Sequence, residues 1–466
     1  MQKMRKGDLM HKDFYNNKFT TELLDEFIEL VEEMNVIPQE LYNKYSVKRG
    51  LRNSDGTGVL VGLTSIGEVH GYIIEDSDKY PADGRLYYRG IELKDIVHAC
   101  TKEGRFGYEE VCYLILFGKL PTHEQLDMFK IMLVKLRTLP PNFFEDMILK
   151  APSPNIMNKL ARSVLALYSE DDNADDISVK NILIQSMSLI AKFPLLIANA
   201  YAVKKHAYDN DSLVIHTQNP NLDIAENFLY MIRPTHEYTR EEAEILDLCL
   251  IIHAEHGGGN NSTFTTHVVS STGTDTYSTI AAAIGSLKGA KHGGASYTVA
   301  RMFDDIKEHI NDWSDETEID AYLTKIINKQ AFDCSGLVYG MGHAIYTNSD
   351  PRAVLLKEKA KKLAELKGRT EEFSLYEKVE KLTPTIFARE TGNQKVLCAN
   401  VDFYSGFVYS MLGLSNELYT PLFAMSRVVG WCAHRIEEVV SGGRIIRPAY
   451  KSISKPQKYI PISERK

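Results

Sequence analysis

Tyr339-Gly-Met-Gly-His343-Ala-Ile-Tyr-Thr-Asn-Ser-Asp350-Pro351-Arg352 concentrates more chemistry than any other segment of this chain. Gly336, Gly340 and Gly342 permit positive-φ turns and the close approach of a ligand. His343 follows the last of them, so its imidazole belongs on a tight loop. Pro351 closes that loop and suits the first turn of a helix, where its missing N–H costs nothing. Arg352 then opens an apolar and lysine-rich helix. A proton-handling ring, a glycine-lined space and a carboxylate-binding guanidinium therefore share one loop. A surface turn with a passing histidine is the competing reading, and the density of glycine around one His argues against it.

Working outward, helix dominates. Residues 19–34 carry Leu23, Leu24, Phe27, Ile28 and Val31 at helical spacing. Residues 53–91 differ, with Val59-Leu-Val-Gly, Gly71-Tyr-Ile-Ile and Arg85-Leu-Tyr-Tyr-Arg-Gly between Gly, Asp and Pro; these read as short strands and hairpins. From Ile91 onward the pattern is helical. Residues 108–117 form an apolar helix stopped at Gly118, and Thr122 with Gln125 forms a capping box for the next. Residues 177–204 are long and apolar with a kink expected at Pro194. Residues 241–256 are apolar on nearly all sides, as a buried central helix is. Residues 274–311 make two helices broken at Gly289-Ala-Lys-His292-Gly-Gly, and 352–390 are charged and helical, which suits an exposed smaller domain. Residues 419–440 are a last long helix before a basic tail. Hinges are expected at 289–294 and in a loop at 400–406.

The bulk numbers narrow the class. A chain of 466 residues suggests two domains, and 25% charged with 44% hydrophobic residues describes a soluble globular protein. A formal net charge of -8 argues against general nucleic-acid binding. Six scattered cysteines with no Cys-x-x-Cys pair suggest neither zinc nor a disulfide framework, and fit a reducing cytoplasm. No secretory signal is read at the start, and the longest apolar run, 188–203, is interrupted and too short to span a membrane.

Other segments add titratable groups. His253-Ala-Glu-His256-Gly-Gly-Gly ends the central helix; Ala254-Glu255 does not fit a zinc-helix pattern, so capping and ligand binding stand as equal readings. His292 sits at the mouth of the following helix, where backbone N–H groups favour a neutral imidazole and developing oxyanions. Asn400-Val-Asp402-Phe-Tyr-Ser-Gly406 sets one carboxylate among apolar groups, as an N-cap or as a base with raised pKa. Arg427, in Arg427-Val-Val-Gly-Trp-Cys-Ala-His434, lies within an apolar helix and needs a partner or a bound anion. Arg447 stands in the tail, a kind of segment that often reaches a neighbouring subunit. There is no serine or cysteine nucleophile beside a base, no P-loop and no dinucleotide fingerprint. Acid–base chemistry beside a carbonyl, on a dianionic substrate, is the reading these residues favour.

These motifs, in this order, resemble the citrate synthase family over roughly residues 60–450. Arg85-Leu-Tyr-Tyr-Arg-Gly-Ile-Glu-Leu and Tyr108-Glu-Glu-Val-Cys-Tyr-Leu-Ile-Leu-Phe-Gly-Lys-Leu-Pro resemble its early signatures. The segments around His256, Lys291-His292-Gly-Gly-Ala, His343 to Arg352, Asp402, Arg427 and Arg447 resemble its later ones. The resemblance implies an all-α homodimer of two domains: a large one of residues 1–292 and 400–466, and a small mobile one of 293–399, with a few strands near 55–90. It implies a transferase of the tricarboxylic acid cycle that condenses acetyl-CoA with oxaloacetate and water to give citrate and CoA. Asp402 would remove the methyl proton, His292 would stabilise the enol, and His343 would protonate the ketone. His256, Arg352, Arg427 and Arg447 would bind oxaloacetate, Arg447 from the partner subunit. Acetyl-CoA would be a co-substrate; no permanently bound cofactor, metal, nucleic acid or membrane is implied.

The chain departs from the family where CoA phosphates are often met: Ala344 and Thr347 stand at positions that are frequently basic, and Cys398-Ala399 precedes Asn-Val-Asp. No residue is therefore assigned to CoA, and the first 55 or so residues have no expected role. A 2-methylcitrate synthase taking propionyl-CoA shares every catalytic motif, since one methylene is worth only about 1–3 kcal/mol in an acyl pocket. A non-catalytic helical binding protein and a metal hydrolase on the same residues are the other classes weighed. The first leaves the His and Asp loops without purpose, and the second predicts loss of activity on chelation.

Overall fold

The computed structural model describes residues 18–53, 56–75 and 78–465. The chain divides into two units, Met1–Val61 and Gly62–Lys466. The first contains α1 (Lys18–Asn35) and α2 (Gln39–Lys44), so helix does cover the apolar repeat of 19–34. On α1, Phe27, Leu30 and Val31 are exposed. Residues 59–62, expected as a strand, form none; Arg52 and Gly58 make an isolated bridge instead.

In the second unit β1 (Gly67–Glu75), β2 (Asp78–Tyr88) and β3 (Ile91–Glu92) form one antiparallel sheet in the order β1-β2-β3. The register slips between His70 and Tyr72. Gly71 lies at that bulge because a side chain there would strike the Ile345 carbonyl. The sheet thus leans on the loop that carries His343. Ala82 N–H donates to Thr347 Oγ1 at 3.2 Å, Gly84 N–H donates to Ser349 Oγ at 3.2 Å, and the Thr347 hydroxyl donates to the Gly71 carbonyl.

The remainder is helical. In order come α3 (Leu93–Glu103), α4 (Tyr108–Phe117), α5 (His123–Leu136), a π-helical turn (Phe144–Leu149), α6 (Ile156–Tyr168), α7 (Val179–Tyr208), α8 (Ile224–Ile232) and α9 (Arg240–His253). Then follow α10 (Asn261–Ser270), α11 (Thr276–Lys288), α12 (Ala295–His309), α13 (Glu316–Ile327), α14 (Pro351–Leu366), α15 (Thr370–Thr391), α16 (Val401–Met411) and α17 (Tyr419–Val440). The Thr122–Gln125 capping box and the left-handed Gly118 stop are both present. Pro194 lies inside α7, which extends beyond 188–203 and by length and composition alone could cross a membrane. Two thirds of its most apolar window (67%) is buried inside the protein, as in a core helix.

Helix α17 is enclosed along most of its length, residues 421–435 being all buried. It packs against α4, α6, α7, α9, α10, α11 and α12. Its interior positions include Arg427, His434 and Arg435, polar groups that such a position admits only when they are paired. Two sequence expectations need correction. Helix α9 stops at His253, so Glu255 and His256 lie beyond its end. Residues 401–406 are not a loop: the Asn400 side chain caps α16 by accepting from Asp402 N–H at 3.0 Å, and Asp402 lies in the first turn.

Candidate active site

The His343 loop is fixed by glycine and by a short backbone ladder. Gly340 and Gly342 have φ of +81° and +91°. A Cβ at 340 would stand 2.9 Å from the Phe403 Cα, so only glycine fits there. Gly342 N–H donates to the Cys398 carbonyl at 2.7 Å and Asn400 N–H donates to the Gly340 carbonyl at 2.8 Å. The Asn400 amide donates to the Gly342 carbonyl at 2.9 Å. His343 Nδ1 accepts from the N–H groups of Ile345 (3.1 Å) and Tyr346 (3.0 Å). In the neutral ring the proton is therefore on Nε2, which makes that nitrogen a donor. The ring stacks on Tyr346 at 4.5 Å and meets the His256 ring edge-on at 5.3 Å.

Beyond the loop, Asp350 caps α14 and accepts two bonds from Arg352, Nε to Oδ1 at 3.0 Å and Nη2 to Oδ2 at 2.7 Å. The same carboxylate accepts from Val401 N–H at 3.2 Å, which ties α14 to the start of α16. Burial works against both charges of the pair. Their mutual attraction outweighs it, holding Asp350 below the ordinary carboxylate range and Arg352 above its usual value.

On the opposite side stand Arg427 and His256. Arg427 is 1% exposed; its Nε donates to the His253 carbonyl at 2.6 Å while NH2 has no partner in the protein. Burial lowers its pKa to about 10, and Arg352 adds to the lowering. His256 Nε2 is likewise buried and unpartnered. Burial, then Arg352, His343 and Arg427, hold that ring far below its ordinary pKa, so it is neutral. Two buried guanidiniums, of which one has an open donor, and a neutral imidazole with an open nitrogen make a receptor for an anion with carboxylates. Glu255, wholly buried, supplies a counter-charge; despite burial, His434 and Arg427 keep it ionised below its usual pKa.

His292 and Asp402 complete the set. His292 lies in the turn before α12, and its Nε2 accepts from the backbone N–H of Ser262 at 3.3 Å, in the first turn of α10. The Ser262 hydroxyl also lies 3.0 Å from Nε2; because the backbone N–H can only donate, we assign Nε2 as acceptor and Nδ1 as the donor in the neutral ring. Burial, then Arg427, lowers its pKa to about 4. Asp402 Oδ1 accepts from the Ser296 hydroxyl at 3.0 Å. Burial raises the Asp402 pKa to about 6, against the opposing pull of Arg352 and Ser296. The carboxyl is thus a stronger base than an exposed aspartate and still ionised at neutral pH.

Of the seven residues read from sequence, six surround this region. Arg447 does not join them within the chain: it is exposed in the tail after α17. Asp350, Glu255, Ser262, Ser296 and Tyr346 support the site without having been given a role. Asp350 before a helix-opening proline was the legible signal among them. A cavity of about 410 Å³ adjoins the loop, lined in part by Met341, Asp350, Ala353, Lys357, Lys361 and Cys398.

Comparison with known proteins bears on this geometry. The family model for the citrate synthase C-terminal domain matches residues 54–449. The chain is 34% identical over 387 residues to the citrate synthase of Synechocystis sp., spanning 82% of this chain and 89% of that protein. It is 33% identical over 386 residues to the 2-methylcitrate synthase of Shewanella oneidensis, spanning 82% and 92%. Among solved structures it resembles citrate synthase from Thermoplasma acidophilum in a ternary complex with carboxymethyl coenzyme A and oxaloacetate. The TM-score is 0.74 with 27% identity, over 90% of this chain and 99% of that one. From a family model covering most of its length, relatives at this identity and a matching helical fold, it follows that the chain belongs to the citrate synthase family of enzymes.

Proposed function

We propose that this enzyme condenses acetyl-CoA with oxaloacetate and water to form citrate and CoA. The observation that carries the reading is the pair of fixed tautomers. Backbone N–H groups point at His292 Nε2 and His343 Nδ1, which puts the ring proton of each neutral imidazole on its other nitrogen, a donor of the kind a carbonyl needs. Asp402 removes a proton from the acetyl methyl while His292 Nδ1–H supports the enol oxygen, since neither act alone makes so weak a carbon acid react. The enol carbon then bonds to the ketone carbon of oxaloacetate, and the oxygen takes a proton from His343 Nε2–H. Arg352, Arg427 and His256 hold the carboxylates, with Arg447 of a second copy completing them. Water hydrolyses the resulting thioester and CoA leaves. Residues 1–292 and 400–466 serve as the large domain, and 293–399 as a small domain whose closure excludes water.

The structure of the Thermoplasma relative, with a CoA analogue and oxaloacetate bound, supports these substrates. Six free cysteines fit a reducing cytoplasm as the setting. A second reading, propionyl-CoA to 2-methylcitrate, keeps its place because the Shewanella relative is about as similar as the Synechocystis one. The test is CoA release from acetyl-CoA and from propionyl-CoA, each with and without oxaloacetate, in wild type and Asp402→Ala. Release that needs both oxaloacetate and Asp402 supports the synthase, and the preferred thioester selects between the two readings. No release from either thioester by folded protein refutes both.

A further inference from the structure

Behind the substrate cluster, α10 and α17 bring three ionisable side chains into line with Glu255. Glu438 Oε2 meets His267 Nδ1 at 2.8 Å, His267 Nε2 meets His434 Nδ1 at 3.0 Å, and His434 Nε2 meets Glu255 Oε1 at 3.1 Å. Two neutral imidazoles carry two N–H groups, but this line contains three contacts. If each ring donates outward to its carboxylate, two bare nitrogen lone pairs face one another at 3.0 Å. A cation between them would relieve that contact.

A proton would satisfy the two rings alone. It would leave Glu437 Oε2, a buried carboxylate oxygen 3.8 Å from His434 Nδ1 with no hydrogen-bond partner. The other oxygen of that carboxylate is already fixed by the Ser65 N–H and hydroxyl, at 2.8 and 2.9 Å. One ligand atom from each of His267, His434 and Glu437 lies within 4.8 Å of the other two. Each histidine has a carboxylate on its far nitrogen, the outer partner that a metal-bound imidazole usually has. His267, Glu438 and Glu437 retain side-chain exposures of 14%, 15% and 17%, so the group opens toward solvent.

We propose that His267, His434 and Glu437 form a binding site for a divalent cation of the zinc class, oriented by Glu438 and Glu255. Two imidazoles, one carboxylate and a water give the four-coordinate shell zinc favours, reached by a contraction of about 1 Å on the Glu437 side. The site is structural: it clamps α10 to α17 behind Arg427, and condensation needs nothing from it. Glu255 links this cation to Arg427, whose charge it balances.

The test uses the purified full chain, stripped with a chelator and dialysed against zinc. Zinc content by mass spectrometry should approach about one per chain, with thermal unfolding shifted upward by several degrees. His267→Gln and Glu437→Gln should abolish that stoichiometric zinc. Glu438→Gln should weaken it by about 10–100-fold. Cobalt in the wild type should give visible bands of a tetrahedral nitrogen–oxygen site, a readout independent of how the variants fold. Zinc held equally by wild type and His267→Gln, or a sulfur-to-cobalt charge-transfer band, would place the metal elsewhere and overturn the proposal. So would the absence of binding, which assigns a shared proton to the gap.

Discussion

The Ser296 hydroxyl donates to Asp402 Oδ1 across 3.0 Å, joining the first turn of α12 to the first turn of α16. This contact stabilises the ionised carboxylate, while burial does the reverse and prevails, setting the pKa at about 6. On the proposed mechanism Asp402 is the base, which it can be only when ionised. Activity is therefore expected to be half-maximal near pH 6, close to full about one unit above it and to decline below it, seen in kcat/KM at saturating oxaloacetate. Ser296→Ala removes a group that favours the charge, so the acidic limb should move to higher pH. A limb unmoved by that change would show that another group controls it. Asp402→Asn should lower kcat by about 10²–10⁴-fold with oxaloacetate binding retained.

His292 is expected to remain a neutral ring protonated on Nδ1 from about pH 5 upward, because burial and Arg427 hold its pKa near 4. Nitrogen NMR of labelled protein reads both the charge and the tautomer. An imidazolium signal for this residue at pH 6, or a proton on Nε2, would contradict its place as donor to the thioester.

Asp350→Asn should destabilise the fold by about 3–5 kcal/mol, since it leaves the buried Arg352 charge without its counter-ion. Because the Asp350 pKa is depressed in the folded protein, its contribution is present above the unfolded carboxylate value and disappears as pH falls through the lower folded one. Urea unfolding below about pH 4 should accordingly narrow the gap between wild type and variant. A constant gap down to pH 2 would mean the pair is not the source.

Gly340→Ala and Gly413→Ala make a matched pair. Both glycines have positive φ, but a Cβ at 413 meets open space whereas one at 340 meets the Phe403 backbone. The change at 413 should cost roughly 1 kcal/mol. The change at 340 should cost more and also reduce turnover, because the displaced segment carries His343. Equal stability losses with unchanged kcat in both variants would refute the account of the loop.

Much of the site was legible because its groups announce themselves locally: glycine beside His343, Asp-Pro-Arg at a helix start, histidine at a helix mouth. The helical periodicity of α4, α7 and α17 was equally plain. What escaped depends on partners distant in sequence. Glu255 read only as a misfit to a zinc pattern, since His434 and Arg427 lie more than 170 positions away. The hairpin at 67–88 gave no hint that Thr347 and Ser349 would hold it against the His343 loop. Residues 401–406 looked like loop because Phe, Tyr and Gly after Asn-Val-Asp have modest helix preference; the Asn400 cap and burial on both flanks decide otherwise.

Gly340, Gly342, Cys398 and Asn400 are strapped to one another by three short hydrogen bonds. A ligand that draws on His343 therefore draws on Asn400 as well, and Asn400 is the residue from which the helix of Asp402 is launched. On the proposed mechanism, the ketone's seat and the base therefore hang from one stretch of backbone, so that a shift of either would be felt by the other.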